Sequence, residues 1–357
     1  MRFVYNWGLA IKNQEYTQTK TSSNYYELNK KLQELKKDKK TLWLNEVYSQ
    51  TLQSALRNLD NAFTKFFKKK GMYPRFKSKN KNDFSFQIPQ GTKIVNNRLY
   101  IPKVKDGIKI KLHRTFDGKI KTVSVSKNPC GQYFITLLVE CEINLKELGA
   151  FSKDTTIGID LGIKEFAVIS NGTRIQNPKN LRKKLKKLKT IQRRHSRKQK
   201  GSVNRNKSRI RIARLHNVIS NQRHDFLHKF THTLTHNNQV RSICIEDLAV
   251  SNMIKNHKLA QAISDVSWGE FRRQLEYKCL WQGKNLIVIN RFAPSSKLCS
   301  NCGQVNANLT LDQRTWTCSC EAVHDRDLLA ANNIRNFGIE QYRRNYGNSN
   351  ACGETAA

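Results

Sequence analysis

Four cysteines between positions 299 and 320 carry the sharpest chemical signal in the chain, spaced Cys299-x2-Cys302-x15-Cys318-x1-Cys320. Two close pairs at this separation can each sit on a tight turn and offer four thiolates to one tetrahedral zinc ion. Protein fills all four positions, so the ion would be structural and keep no open place for a substrate. One residue separates the second pair where two are usual, which demands a tighter turn. The competing reading is four unligated core cysteines; Gly303 and its polar neighbours favour a metal knuckle. Nine cysteines in all, four of them crowded here, argue for a reducing compartment and against a disulfide scaffold.

Acids at strand ends are the second signal. Asp160 follows Ile157-Gly158-Ile159, and Glu246 follows Ile243-Cys244-Ile245. Taken singly, such an acid is more often a solvated terminus. A third comes from His324-Asp325-Arg326-Asp327, just before an apolar helical run. Either aspartate could cap that helix, and the partial positive charge of a helix start would keep the other ionised. Three converging carboxylates cannot all stay ionised without a cation. Two Mg²⁺ about 4 Å apart would neutralise them and clamp the attacking and leaving oxygens of a phosphodiester.

The third signal is charge. Between Lys179 and Arg214 stand 17 Lys/Arg and no acid, with apolar periodicity preserved. Exposed helices normally mix signs, so this run is built to lie against phosphates, salt-dependently and without sequence preference. The whole chain has 357 residues and a net charge of +38, which calls for a polyanionic partner. No run of 18 or more apolar residues exists, which excludes a helical membrane span. Met1 to Ala10 lack the pattern of a signal peptide. A prokaryotic cytoplasm, close to the nucleoid, is the expected place.

The elements that must position these groups fall into zones. Residues 1–82 are polar with helical periodicity: Leu28, Leu32 and Leu35, then Leu44, Val47, Tyr48, Leu52, Ala55, Leu56, Leu59 and Phe63. They predict two or three amphipathic helices, followed by a basic, breaker-rich stretch that includes Arg75 and Lys77. Over 83–150 the period becomes two, as in Phe84/Phe86/Ile88 and Ile108/Ile110/Leu112, with a turn signal every ten residues or so. That pattern predicts a small β-barrel or sandwich. Residues 151–340 alternate strand and helix, an α/β sheet. Into it are set a basic helical pair over 179–236 and the cysteine loop over 297–322. A helix follows from about Leu328 to Phe337, and 341–357 form a polar tail.

At this level of detail the chain resembles the transposon-encoded TnpB (OrfB) proteins, RNA-guided DNA endonucleases related to the type V CRISPR effectors. The likeness spans nearly the whole chain. It is carried by Tyr73-Pro74-Arg75-Phe76-Lys77-Ser78-Lys79, Ile157-Gly158-Ile159-Asp160-Leu161-Gly162, Ile245-Glu246-Asp247-Leu248 and Ser264-Asp265-Val266-Ser267-Trp268-Gly269-Glu270-Phe271. The most specific stretches are Pro294-Ser295-Ser296-Lys297-Leu298-Cys299-Ser300-Asn301-Cys302-Gly303, and Trp316-Thr317-Cys318 running on to His324-Asp325-Arg326-Asp327. The tail's Asn350-Ala351-Cys352-Gly353-Glu354 is similar to the family's ending.

The resemblance implies a RuvC-type nuclease domain with an RNase H-like sheet and an inserted zinc finger, a β-barrel wedge domain and a helical recognition lobe. It implies Asp160, Glu246 and Asp327 as the catalytic, Mg²⁺-binding acids. Arg75, Lys77, Arg182, Lys183, Lys186, Lys187, Arg193 and Arg194 are the expected nucleic-acid contacts. The partners implied are a guide RNA made from the transposon's end and a target DNA; the protein reads a short adjacent motif while base pairing reads the rest. Two departures stand out. The family carries a strand and a helix before the equivalent of Arg2-Phe3-Val4, so the barrel is expected to lack a strand. Leu329 stands where the family has Asn, which is expected to remove a polar group beside the third acid. Two other readings stand against this one: a guided binder that does not cut, which would tolerate loss of the three acids, and a transposase that joins ends, for which the sequence shows no assembly helix.

Overall fold

The computed structural model describes residues 1–78, 84–142, 144–310 and 312–346. The expected zone boundary at 82–83, Lys79 of the Tyr73 motif and the Asn350–Glu354 motif lie outside the described residues. The chain divides into two units, Met1–Ile143 and Asn144–Ala357.

In the first unit, α1 (Arg2–Thr19), α2 (Tyr25–Leu35), a 3-10 segment (Lys39–Glu46) and α3 (Ser49–Phe67) share one core. A capping box starts α2: Asn24 Oδ1 accepts from the Tyr26 and Glu27 N–H groups, and Glu27 Oε2 accepts from the Asn24 N–H. The periodic leucines become that core, with Leu28, Leu32, Leu44, Leu52, Leu56 and Leu59 closing on Val4, Tyr5 and Leu9.

Six strands follow: β1 (Phe84–Ile88), β2 (Lys93–Val95), β3 (Arg98–Tyr100), β4 (Ile108–Lys109), β5 (Lys119–Lys127) and β6 (Tyr133–Glu140). They form two antiparallel sheets, β1-β5-β6 and β2-β3-β4. Ile88, Leu99 and Val123 from both sheets meet in one small core. A bulge between Ile120 and Thr122 keeps Ile120 in phase with Val123 and Val125 despite their uneven spacing. Among the described residues no ladder joins the two sheets, so the expected closed barrel is not formed there. The strands β2, β3 and β4 are only two or three residues long, too short to bridge across.

The second unit is built on a mixed sheet. Its strands are β7 (Thr156–Leu161), β8 (Glu165–Ile169), β9 (Arg174–Gln176), β10 (Ser242–Glu246) and β11 (Asn285–Ile289), in the order β11-β10-β7-β8-β9. Strands β7, β10 and β11 are parallel; β8 and β9 return antiparallel. Between β9 and β10 run α4 (Asn180–Ser196) and α5 (Val203–His236), broken at Gly201-Ser202, where Ser202 caps α5. Leu188 of α4 packs on Leu215 and Ile219 of α5, and Lys184 reaches Gln222, so the pair is antiparallel. Then come α6 (Val250–Met253), α7 (Ala260–Val266) and α8 (Trp268–Gln282). One face of the sheet is sealed by Phe166, Phe230, Phe271 and Leu275.

After β11 come the cysteine loop, the hairpin β12 (Thr315–Thr317)–β13 (Val323–Asp325), and α9 (Arg326–Tyr346). The last helix starts earlier and runs further than its periodicity predicts, taking in the first residues of the expected tail. It lies against the sheet with almost no gap. A Cβ on Gly158 of β7 would stand 2.0 Å from the Ala331 carbonyl oxygen, and one on Gly338 would stand 2.3 Å from Cys244 Sγ of β10. Arg335 fastens the contact, its Nε donating to the Thr156 carbonyl at 2.8 Å and its Nη2 to the Lys153 carbonyl at 2.6 Å.

Replacing Gly158 with Ala should therefore cost about 3 kcal/mol, or about 8 °C in Tm, by forcing α9 off the sheet. Gly172→Ala, at φ 86° but with nothing within 4 Å, should cost only about 1 kcal/mol. Thermal unfolding of both variants checks this; equal losses would mean that α9 does not press on β7.

Candidate active site and metal centre

Parallel pairing sets the first two acids side by side. Ile159 of β7 is in register with Ile245 of β10, so Asp160 and Glu246 follow at the same carboxyl end of neighbouring strands. Packing of α9 on β7 and β10 brings its first turn, and Asp327, to that end. Asp160 is pushed up to about 7, first by burial and then by the negative charges of Asp327 and Glu246; Arg326 and the Leu161 N–H only partly offset this. Glu246 is likewise raised to about 7 by burial and by Asp247. Asp160 thus lies in the field of both Glu246 and Asp327, and the like charges and burial all oppose its ionisation.

The two candidate aspartates separate cleanly. Asp325 Oδ1 accepts from the Leu328 N–H at 2.9 Å, which makes it the cap of α9. Its Oδ2 accepts from Arg174 at 2.8 Å. Burial opposes ionisation of Asp325, but these two donors hold it below the usual range. Asp327 is the aspartate whose charge reaches Asp160.

Sequence reasoning missed three supports of this corner. Arg314, just before β12, places Nη1 at 3.2 and 3.3 Å from the two oxygens of Asp327. Asp247, next to Glu246, is held low by Arg291 and by Arg272, the latter at 2.6 Å. No spacing rule links these arginines to their acids, because each pair is joined only by the fold.

The four cysteines come together. Their Sγ atoms all lie within 4.8 Å of one another. Cys299–Cys320 and Cys302–Cys318 are separated by 3.7 and 3.6 Å. Tetrahedral thiolates at a metal–sulfur distance of about 2.3 Å would be about 3.8 Å apart, so the cluster can hold one such ion. The short second spacer is handled by Glu321 at φ 64°, whose N–H closes a turn on the Cys318 carbonyl. The backbone N–H of Cys320 favours the Cys318 thiolate and lowers its pKa to about 6. His324, the residue before Asp325, sets Nε2 at 3.1 Å from Cys299 Sγ. Such an outer partner orients a ligand and links the cluster to the acids.

Leu329, where the loss of a polar group is expected, takes an apolar place. It is buried with Trp316, Leu309, Cys299 and Cys318 in the core of the cysteine knuckle. One turn later Asn333 is the polar anchor, its Nδ2 donating to the Ser295 and Leu298 carbonyls at 2.7 Å each.

The basic residues divide between two places. In the second unit, Lys183, Lys186, Lys187 and Arg194 of α4 join Arg211 and Arg214 of α5 around a groove of about 850 Å³, with Ile191, Leu215 and Val218 on its floor. Arg182 and Arg193 are exposed on the same helix but do not line it. In the first unit, Arg75 and Lys77 line a cleft of about 670 Å³ with Phe76, Phe84 and Tyr133. Lys77 is tied down there, its backbone paired with Asn6 and its Nζ 4.1 Å from the centre of the Tyr5 ring.

Comparison with known proteins agrees along the length of the chain. A family model named OrfB_IS605, with the description "Probable transposase", matches residues 148–257, and a Cas12f1-like TNB domain model matches residues 268–334. A Streptomyces pristinaespiralis protein provisionally named an RNA-guided DNA endonuclease is 41% identical over 357 residues, with 99% of this chain and 85% of that protein covered. InsQ of Escherichia coli K12, provisionally named in the same way, is 34% identical over 334 residues, covering 89% of this chain and 81% of its own. Among solved structures, the Cas12f1–sgRNA–target DNA complex aligns with a TM-score of 0.54 at 16% identity, covering 94% of this chain and 80% of that one. At that identity the likeness is one of fold.

The crowded carboxylates make a metal-free prediction. Asp160 and Glu246 have folded pKa values above their unfolded ones, so their charging destabilises the fold. That penalty is absent below about pH 4, grows as pH rises, and is complete above about pH 7. In Mg²⁺-free buffer Asp160→Asn should therefore raise stability at pH 8 by on the order of 2 kcal/mol, about 5 °C in Tm, and leave it nearly unchanged at pH 4. A gain of equal size at both pH values would show that ionisation of Asp160 carries no penalty in the fold.

Proposed function

The chain belongs to the TnpB (OrfB) family of transposon-encoded RNA-guided DNA endonucleases, and from that premise we propose that it cuts guided DNA targets with a metal-dependent centre formed by Asp160, Glu246 and Asp327. What supports this reading is the placement of Asp160 and Glu246 at the same end of paired strands β7 and β10, with the charges of both Asp327 and Glu246 acting on Asp160. Such a corner is costly in a protein with no cation to place there. Two Mg²⁺ ions bound there would supply Lewis-acid stabilisation to the attacking and leaving oxygens of the phosphodiester.

The protein's own groups do the positioning. Asp160 and Glu246 are held by paired strands, and Asp327 by the first turn of a helix that cannot shift on its sheet. Asp325 serves as cap and keeps Asp327 free for the site. Arg314 steadies Asp327 and offers a guanidinium to the phosphate of a bound strand. Arg272 and Arg291 neutralise Asp247, so that Glu246 is the acid left to ligate. Cys299, Cys302, Cys318 and Cys320 would hold a zinc ion that fixes the knuckle from which Arg314 and α9 project.

Guide RNA and target DNA lie along the basic face of α4 and α5. Their phosphates meet Lys183, Lys186, Lys187, Arg194, Arg211 and Arg214, while Arg182 and Arg193 extend the same surface. Arg75 and Lys77 serve the first unit, whose helices form the recognition lobe and whose two sheets form the wedge. The guide derives from the transposon's end, and the protein works in the prokaryotic cytoplasm on nucleoid DNA.

The test is cleavage of a matched target by RNA-loaded protein in Mg²⁺. Asp160→Ala should abolish cutting and leave target binding intact, since binding rests on the basic helices. Asp325→Ala should cut more slowly, by about tenfold, through a weakened helix start, whereas Asp327→Ala should be inactive. Cutting that survives Asp160→Ala would remove this centre; a wild-type chain that binds its target without cutting would favour a guided binder. For the zinc site, freshly purified protein should carry one zinc per chain by elemental analysis. His324→Ala should weaken retention of that zinc against a chelator by about tenfold, and Cys302→Ser by more.

A further inference from the structure

Histidines 224, 228, 232 and 236 stand at four-residue intervals along α5, and the nuclease reading uses none of them. All four are exposed. The row follows the seam with α8: His224 faces Glu270 at 3.8 Å near the start of that helix, and His236 faces Gln282 at 3.4 Å at its end. One pair differs from the rest. The rings of His232 and His236 lie 3.7 Å apart, centre to centre, with 34° between their planes.

The last turn prepares these rings as ligands. His236 Nδ1 is 3.0 Å from the His232 carbonyl oxygen. That contact places the ring proton on Nδ1, and the Nε2 lone pair faces the Gln282 amide nitrogen at 3.4 Å, a long contact that a metal ion would displace. The helix ends at His236, where the partial negative charge of its carboxyl end favours cations, and Lys284 Nζ already donates to the Asn237 and Val240 carbonyls there. The ammonium groups nearby are already committed. Lys278 Nζ donates to the His228 carbonyl at 2.9 Å and to Thr231 Oγ1 at 2.7 Å, and Lys146 Nζ donates to Gln282 Oε1 at 2.9 Å.

Two imidazoles four residues apart on one helix face are the arrangement by which helical zinc enzymes grip their ion. We propose that His232 and His236 form a second metal site, exchangeable and solvent-facing, for a late first-row divalent ion such as Ni²⁺, Cu²⁺ or Zn²⁺. Imidazole nitrogen selects these ions over Mg²⁺, so the pair does not compete for the ion of a carboxylate centre. With two protein ligands and water in the other positions, the ion comes and goes, unlike one enclosed by four thiolates.

Ni²⁺ is the probe, because it does not oxidise thiols. Untagged, zinc-loaded, full-length protein is titrated calorimetrically with Ni²⁺ and passed over a Ni²⁺-chelate column. One site and retention on the column are expected. His232→Ala and His236→Ala should each weaken binding by about a hundredfold, because each turns a chelate into a single ligand. Both variants should lose retention while keeping the wild-type Tm, and His224→Ala and His228→Ala should bind as wild type does. No Ni²⁺ binding by the wild type would overturn the site, as would a His236→Ala variant that binds undiminished. Equal losses in His228→Ala and His236→Ala would overturn the assignment to this pair. None of these measurements depends on nuclease activity.

Discussion

The near-contact of α9 with the sheet governs the second unit. Two glycines make it possible, Gly158 facing the Ala331 backbone and Gly338 facing Cys244. Where backbone meets backbone or a sulfur without side chains between, neither surface has a soft atom to yield. Helix and strands therefore hold a single relative position. Asp160 and Glu246 belong to the strands and Asp327 to the helix, so the same contact fixes the spacing of the carboxylate corner. Arg335 adds direction by gripping the backbone at Thr156 and Lys153.

The cysteine knuckle extends that constraint. Leu329, two residues beyond Asp327, is buried in the knuckle's core with Trp316 and two of the cysteines. His324, three residues before Asp327, touches Cys299 Sγ. The first turn of α9 is thus held from both sides by the knuckle and from beneath by the sheet. A leucine at this place adds its side chain to the apolar contacts of the knuckle's core. Stability of the knuckle and geometry of the acids are consequently one property, and a loss in the first should appear in the second.

Charge is distributed to match. The excess of +38 is spread over surfaces, and the groove between α4 and α5 sets cationic walls on an apolar floor. The negative groups of the corner are instead concentrated and partly withdrawn from water, with Arg314 paired to Asp327 and both Arg272 and Arg291 paired to Asp247.

Much of this was legible in the sequence. The cysteine spacing, the acids closing two apolar strands, the acid-free basic helices and the leucine periodicity are local patterns, and local patterns survive translation into structure because they follow from the period of the backbone and the reach of a turn. What tertiary structure alone decided lay between distant segments. Whether Asp325 or Asp327 faced the strands depended on where α9 began, which is set by the Leu328 N–H finding Asp325. The expected barrel became two sheets because ladder closure depends on strand length and pairing partners. The place of Leu329 depended on which face of α9 met the knuckle. Arg314, Arg272 and Arg291 found their acids, and His232 and His236 their seam beside α8, only through packing. Sequence spacing reports what one element can do by itself; which elements share a surface is settled when their side chains compete for the same buried space.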